Sequence, residues 1–148
     1  IISVKDTQVS NHTDENIQYD RWVKKAVEDS AKQIYGAERF LDNVSEVFAK
    51  NRTSKISLPS IKERIILRIA IAFGSKNTFP LPYGNFGQGY VHVLDEETTS
   101  ILLTELDTIT DFTKYLIDKE RFLKEKYFSM PKESDFLAFY IQTGLDID

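Results

Sequence analysis

The sequence predicts an α/β fold: a small mixed sheet with a strand–helix–strand crossover, followed by a helical C-terminal part. Three observations predict it. A short β-branched run, Ile1–Val4, is followed by a long stretch from Gln18 to Asn43 with apolar residues at helical spacing. A second β-branched run, Arg64–Phe73, alternates like a strand. Beyond Leu94 the apolar pattern is helical. One domain is the expected count for 148 residues, divided here into an α/β core over 1–94 and a helical extension over 95–148.

Taken in order, Ile1–Val4 reads as an interior strand, because a continuous apolar run suits a strand covered on both faces. Lys5 lies at its end, beside Asp6. Residues 6–16 are polar and rich in turn formers, so they form a loop. In the long helix Ile17, Trp22, Val23, Ala26, Val27, Ser30, Ile34, Ala37, Phe40, Leu41 and Val44 recur at helical spacing and mark the buried side. Gln33 stands seven residues after Ala26 and four before Ala37, so it shares their stripe. Gly36 weakens the helix by about 1 kcal/mol relative to alanine and allows close packing on the sheet.

Val44–Phe48 extends the helix or forms a short strand, and Lys55–Leu58 is a short edge strand stopped by Pro59. In Arg64–Phe73 the alternation puts Ile65, Leu67, Ile69 and Ile71 on one face and Ile66, Arg68, Ala70 and Ala72 on the other. The long loop 74–89 carries Phe79, Tyr83 and Phe86 among prolines and glycines, a composition suited to closing over a ligand, docking a partner or packing on the core. Tyr90–Leu94 is the next strand. Asp95 is a helix N-cap, Thr108 with Asp111 a second capping arrangement, and Pro131 suits the first turn of a last helix ended by Gly144.

The chain holds no cysteine, which leaves no disulfide framework and no thiolate metal site. No apolar run approaches the length of a membrane span, and a cytoplasmic location is expected. Both ends look cut, the chain starting inside a strand and stopping at Leu145-Asp146-Ile147-Asp148. The net charge of −4 is uneven. Residues 21–68 hold 11 Lys and Arg against 6 Asp and Glu, whereas residues 90–148 hold 6 against 13. A basic middle is a candidate surface for an anion. Lys50, Arg52 and Lys55 are its first candidates for nucleic-acid contact, with Lys62, Arg64 and Arg68 beyond them; a solvated rim is the plainer reading. His92 alone makes neither a metal set nor a nucleophile–base pair. Among the acids Glu105, Asp107 and Asp111, capping explains Asp111 more simply than a metal does.

A strand ending in Lys5, followed by a crossover helix bearing Gln33, resembles the PD-(D/E)xK or restriction-endonuclease-like nucleases, including their nuclease-related-domain branch. The resemblance covers residues 1–73. It implies Mg²⁺-assisted hydrolysis of DNA phosphodiesters, with Lys5 as the lysine that positions water or stabilises charge and Gln33 as the supporting helix glutamine. Ser3 stands where that family carries Asp or Glu. The family's further aspartate would lie before residue 1. The resemblance therefore implies a site completed in a longer chain. The alternative is a non-catalytic module on the same scaffold, binding a protein partner through residues 95–148.

Overall fold

The computed structural model describes residues 1–76, 78–125 and 132–144. The expected helix start at Pro131 and the terminal Leu145–Asp148 lie outside the described residues. Strand β1 (Ile2–Asp6) leads into a long helix of three parts: α1 (Glu15–Trp22), a π-helical stretch (Val23–Glu28) and α2 (Asp29–Leu41). The hairpin β2 (Glu46–Phe48) and β3 (Lys55–Ser57) follows, then a 3-10 turn (Ile61–Glu63) and β4 (Ile69–Phe73). Next come β5 (Gly84–Asn85), β6 (Tyr90–Leu94) and the helices α3 (Glu96–Glu105), α4 (Ile109–Glu125) and α5 (Glu133–Thr143).

The main sheet has the order β1-β4-β6-β5, and β2 and β3 form a separate antiparallel pair. β1 and β4 are parallel, as are β4 and β6; β5 runs antiparallel to β6. The fold is thus mixed α/β with a crossover helix and a helical C-terminal part, as the periodicities require. The small face of the sheet, Ala70 and Ala72 with Val91 and Val93, packs on Trp22, Ala26, Val27, Ala31 and Ile34 of the crossover helix. The opposite face, with Ile69 and Leu94, is covered by Leu102, Tyr115, Leu116, Phe122 and Phe136 from α3, α4 and α5. Helices α3, α4 and α5 therefore build the second layer over the sheet rather than a module standing apart.

Three expectations are corrected. β1 is an edge strand, and Ile2 and Val4 are each 59 % exposed. A β-branched run is compatible with either place, and the sequence does not show that α3–α5 stop over β4 and β6. The strand expected over Arg64–Phe73 begins only at Ile69. Its first part is held out by Arg64, whose guanidinium donates to the carbonyls of Leu41, Val44 and Pro59 and so closes the end of α2.

Gln33 is exposed rather than buried, and so is Ala37. The buried residues run Trp22, Ala26, Ser30, Ile34, a step of four. The π-helical stretch widens one turn by a residue, so a stripe extrapolated at 3.6 residues per turn from Ala26 reaches Gln33 while the helix itself turns Ile34 inward.

Gly74 ends β4 at φ +99, where a Cβ would lie 2.1 Å from the Thr7 carbonyl oxygen. Only glycine lets the chain leave the sheet so close to the end of β1. The Gly74 N–H donates to Glu96 Oε1 at 2.7 Å, which ties this corner to the start of α3.

Candidate functional site

The alternation of β1 places Ser3 and Lys5 on the face shared with Ala70 and Ala72, their register partners on β4. These alanines are small, so the crossover helix passes close to β1. Its Gln33 meets the strand there: the Ser3 hydroxyl donates to Gln33 Oε1 at 3.1 Å. With Oε1 engaged, Nε2 is the atom left to donate. Lys5 is half-buried on the same face and makes no ion pair among the described residues. Asp6 falls on the opposite face by the strand's alternation, where its carboxylate accepts from Gln8 Nε2. The structure thus brings Ser3, Lys5 and Gln33 to one face at the open edge of the sheet, with no carboxylate beside them on β1.

A hydroxyl, an ammonium and an amide do not make a Mg²⁺ site, which takes carboxylate and water oxygens in octahedral geometry. No group of three or more His, Asp or Glu residues that could hold a metal exists among the described residues. Asp111 is used in capping: its N–H donates to the Thr108 hydroxyl at 3.0 Å, and that hydroxyl donates to Asp111 Oδ2 at 2.6 Å.

The basic stretch divides in two. Lys50 and Arg52 are exposed at the tip of the β2–β3 hairpin, and Lys62 is exposed on the 3-10 turn. Lys55, also exposed, is held 2.6 Å from Glu46 and lies over the Phe48 ring. Arg64 closes α2, as described above. Arg68 makes a paired contact with Glu38, at 2.6 Å from Nε and 2.5 Å from Nη2, and the hydrogen bonds and charge of that carboxylate outweigh burial and raise the guanidinium's pKa. Only Lys50, Arg52 and Lys62 of the six project without such a tie among the described residues.

A second set of polar groups lies inside the protein, between the sheet and α4 and α5. Lys119 and Glu133 are each 7 % exposed at the side chain and meet at 2.5 Å. The Tyr115 hydroxyl donates to the other oxygen of Glu133, also at 2.5 Å. Burial first, and then the negative charge of Glu133, pushes the Tyr115 hydroxyl far above its ordinary range. His92 on β6 is fully buried, its Nε2 3.5 Å from Glu120 without the alignment of a hydrogen bond. Burial lowers its pKa, partly offset by Glu120. Burial raises Glu120 in turn, but His92 and Lys124 more than offset it and hold the carboxyl below its usual value. Asp118 behaves alike under Lys114, Tyr140 and Arg121.

Sequence reasoning missed this buried layer. The signal available was Lys119 itself, a charge standing on the apolar stripe of Phe112, Tyr115, Leu116 and Leu123.

No helix among the described residues is long and apolar enough to cross a membrane. No family model, curated protein or solved structure matches the chain.

Proposed function

We propose that the chain carries part of a restriction-endonuclease-like site that engages DNA phosphodiesters. The observation that supports this reading is the contact of Ser3 with Gln33 on the face of β1 that also carries Lys5, the Ser3 hydroxyl fixing the Gln33 amide. Lys5 and Gln33 Nε2 are then two donors, one charged, for a phosphate oxygen. Ser3 sets the orientation of the amide. The described residues do not fit Mg²⁺ by themselves, so this reading assigns the metal to none of them.

The alternative reading, a non-catalytic protein-interaction module, is favoured by a different observation. The outer edge of β1 carries no strand among the described residues, and Ile2 and Val4 beside it are 59 % exposed. Such an edge accepts an added strand through its backbone groups.

Plasmid nicking separates the two. The full-length protein is incubated with supercoiled DNA and Mg²⁺ or Mn²⁺, with chelator as control, as wild type and as Lys5→Ala. The nuclease reading expects metal-dependent nicking that Lys5→Ala abolishes while the Tm holds. Binding of the same DNA should weaken in Lys50→Ala/Arg52→Ala, with a salt slope shallower by about 2. A folded protein that cuts nothing, or a Lys5→Ala variant that cuts as well as wild type, overturns this site.

A further inference from the structure

We propose that a cleft on the helical side of the protein, sharing no residue with β1 or Gln33, is a binding site for a small aromatic compound carrying a hydrogen-bond acceptor. The cleft encloses about 440 Å³, between the start of the long loop and helices α3, α4 and α5. That volume lies in the range of small-molecule sites, roughly 300–1,000 Å³. Its apolar walls are Phe79, Leu81 and Tyr83 from the loop, Ile101 from α3, Leu123 from α4 and Phe136 from α5. Three of these six are aromatic, which suits a flat ring.

The polar contribution comes from Lys119. Its ammonium lines the cleft and is nearly inaccessible to bulk water. It lies 5.6 Å from the Phe136 ring centre and 5.8 Å from that of Tyr83, held between two aromatic groups. An ammonium has three N–H donors. Among the described residues Lys119 has a single hydrogen bond, to Glu133 Oε2. A desolvated cation with donors to spare is costly to leave so, and an acceptor entering the cleft would fill that need.

Of the three acids in the walls, Glu97 is exposed to solvent, which screens its charge, and the two buried ones are already engaged. Glu133 accepts from Lys119 and Tyr115, and Asp95 accepts from the N–H and hydroxyl of Thr98. Donor capacity is therefore what the buried part of the cleft offers, and a ligand with an acceptor fits beside Lys119 where an amine does not. The acceptor is a carboxylate or a neutral carbonyl, and the choice of probe tells them apart.

Titration of the full chain with benzoate, benzamide and benzylamine, followed by ligand-observed NMR and calorimetry, tests the site. Saturable binding of benzoate or benzamide is expected, with benzylamine at least tenfold weaker. A preference for benzoate identifies a carboxylate ligand, and equal binding identifies a neutral carbonyl. Ile101→Trp, which fills the cleft without touching the ion pair, should weaken binding at least tenfold while the thermal transition is retained. Lys119→Arg should keep binding, because it preserves a cation with spare donors. Failure of both acceptor probes to bind overturns the proposal. So does benzylamine binding as tightly as they do, or Ile101→Trp leaving affinity unchanged in a folded protein.

Discussion

Replacement of Lys119 by methionine is the most informative single perturbation of the buried layer. The side chain keeps its length and apolar stem but loses the ammonium that meets Glu133 at 2.5 Å. Both partners are about 7 % exposed, so water cannot replace the lost charge. Removing one member of such a pair costs about 3–5 kcal/mol, most of it the penalty of a buried carboxylate without its counter-ion. A chain of this size loses about 2–4 °C of Tm per kcal/mol, so the transition should fall by roughly 10 °C. In urea the midpoint should fall by about 2 M, taking a slope of roughly 2 kcal/mol per M. The control is Lys119→Met/Glu133→Gln, in which the amide oxygen still accepts from the Tyr115 hydroxyl. It should recover more than half of the loss. Urea unfolding followed by circular dichroism reads both variants. A cost under about 1 kcal/mol for the single variant, or a double variant as unstable as the single, would show that the pair is not buried as described.

Two further outcomes are expected. His92 has its folded-state pKa lowered, chiefly by burial, so below the ordinary imidazole value of 6.5 the unfolded chain binds the proton first. Stability should be full above that value and decline as pH falls below it, and His92→Phe should lack this first decline. The lowered carboxyls of Glu120 and Asp118 add a separate loss at lower pH, nearer the carboxylate range. Urea midpoints measured across pH 5 to 8 read the difference, and parallel curves for wild type and His92→Phe would refute it. Gly74→Ala should cost more than about 2 kcal/mol, since the added methyl meets the Thr7 carbonyl and the backbone lies at φ +99. A thermal melt within a degree of wild type would show that β1 and the turn after β4 separate freely.

Much of the fold was legible because local rules and tertiary structure agree. Tyr90–Leu94 is a strand with those bounds, and Asp95 caps α3 through the Thr98 N–H at 2.9 Å. The capping box at α3 uses Thr98 rather than Glu or Gln, yet its donors and acceptors are placed alike. What was not legible depends on neighbours. Ile2 and Val4 are chemically indistinguishable from interior strand residues, and only the position of α3–α5 leaves them bare. Arg64 and Arg68 read as surface cations. One in fact closes a helix and the other pairs with Glu38, both through contacts some twenty or more residues away in sequence. The resemblance paired Gln33 with Lys5, whereas the contact Gln33 makes with the strand is to Ser3, and its exposure was not expected either. A single widened turn is invisible to a periodicity count that assumes 3.6 residues throughout.

That widened turn bears on how the chain tolerates changes in length. A deletion inside a helix ordinarily rotates everything beyond it by about 100° and exposes the buried stripe. Here the stripe already advances four residues at each step from Trp22 to Ile34, and the π-helical stretch absorbs the surplus. Loss of one of the exposed residues Lys24 or Lys25 would restore a regular α-helical turn, with Trp22 and Ser30 still facing the sheet. The crossover helix therefore contains a site where the deletion of one residue leaves the layers on either side in register.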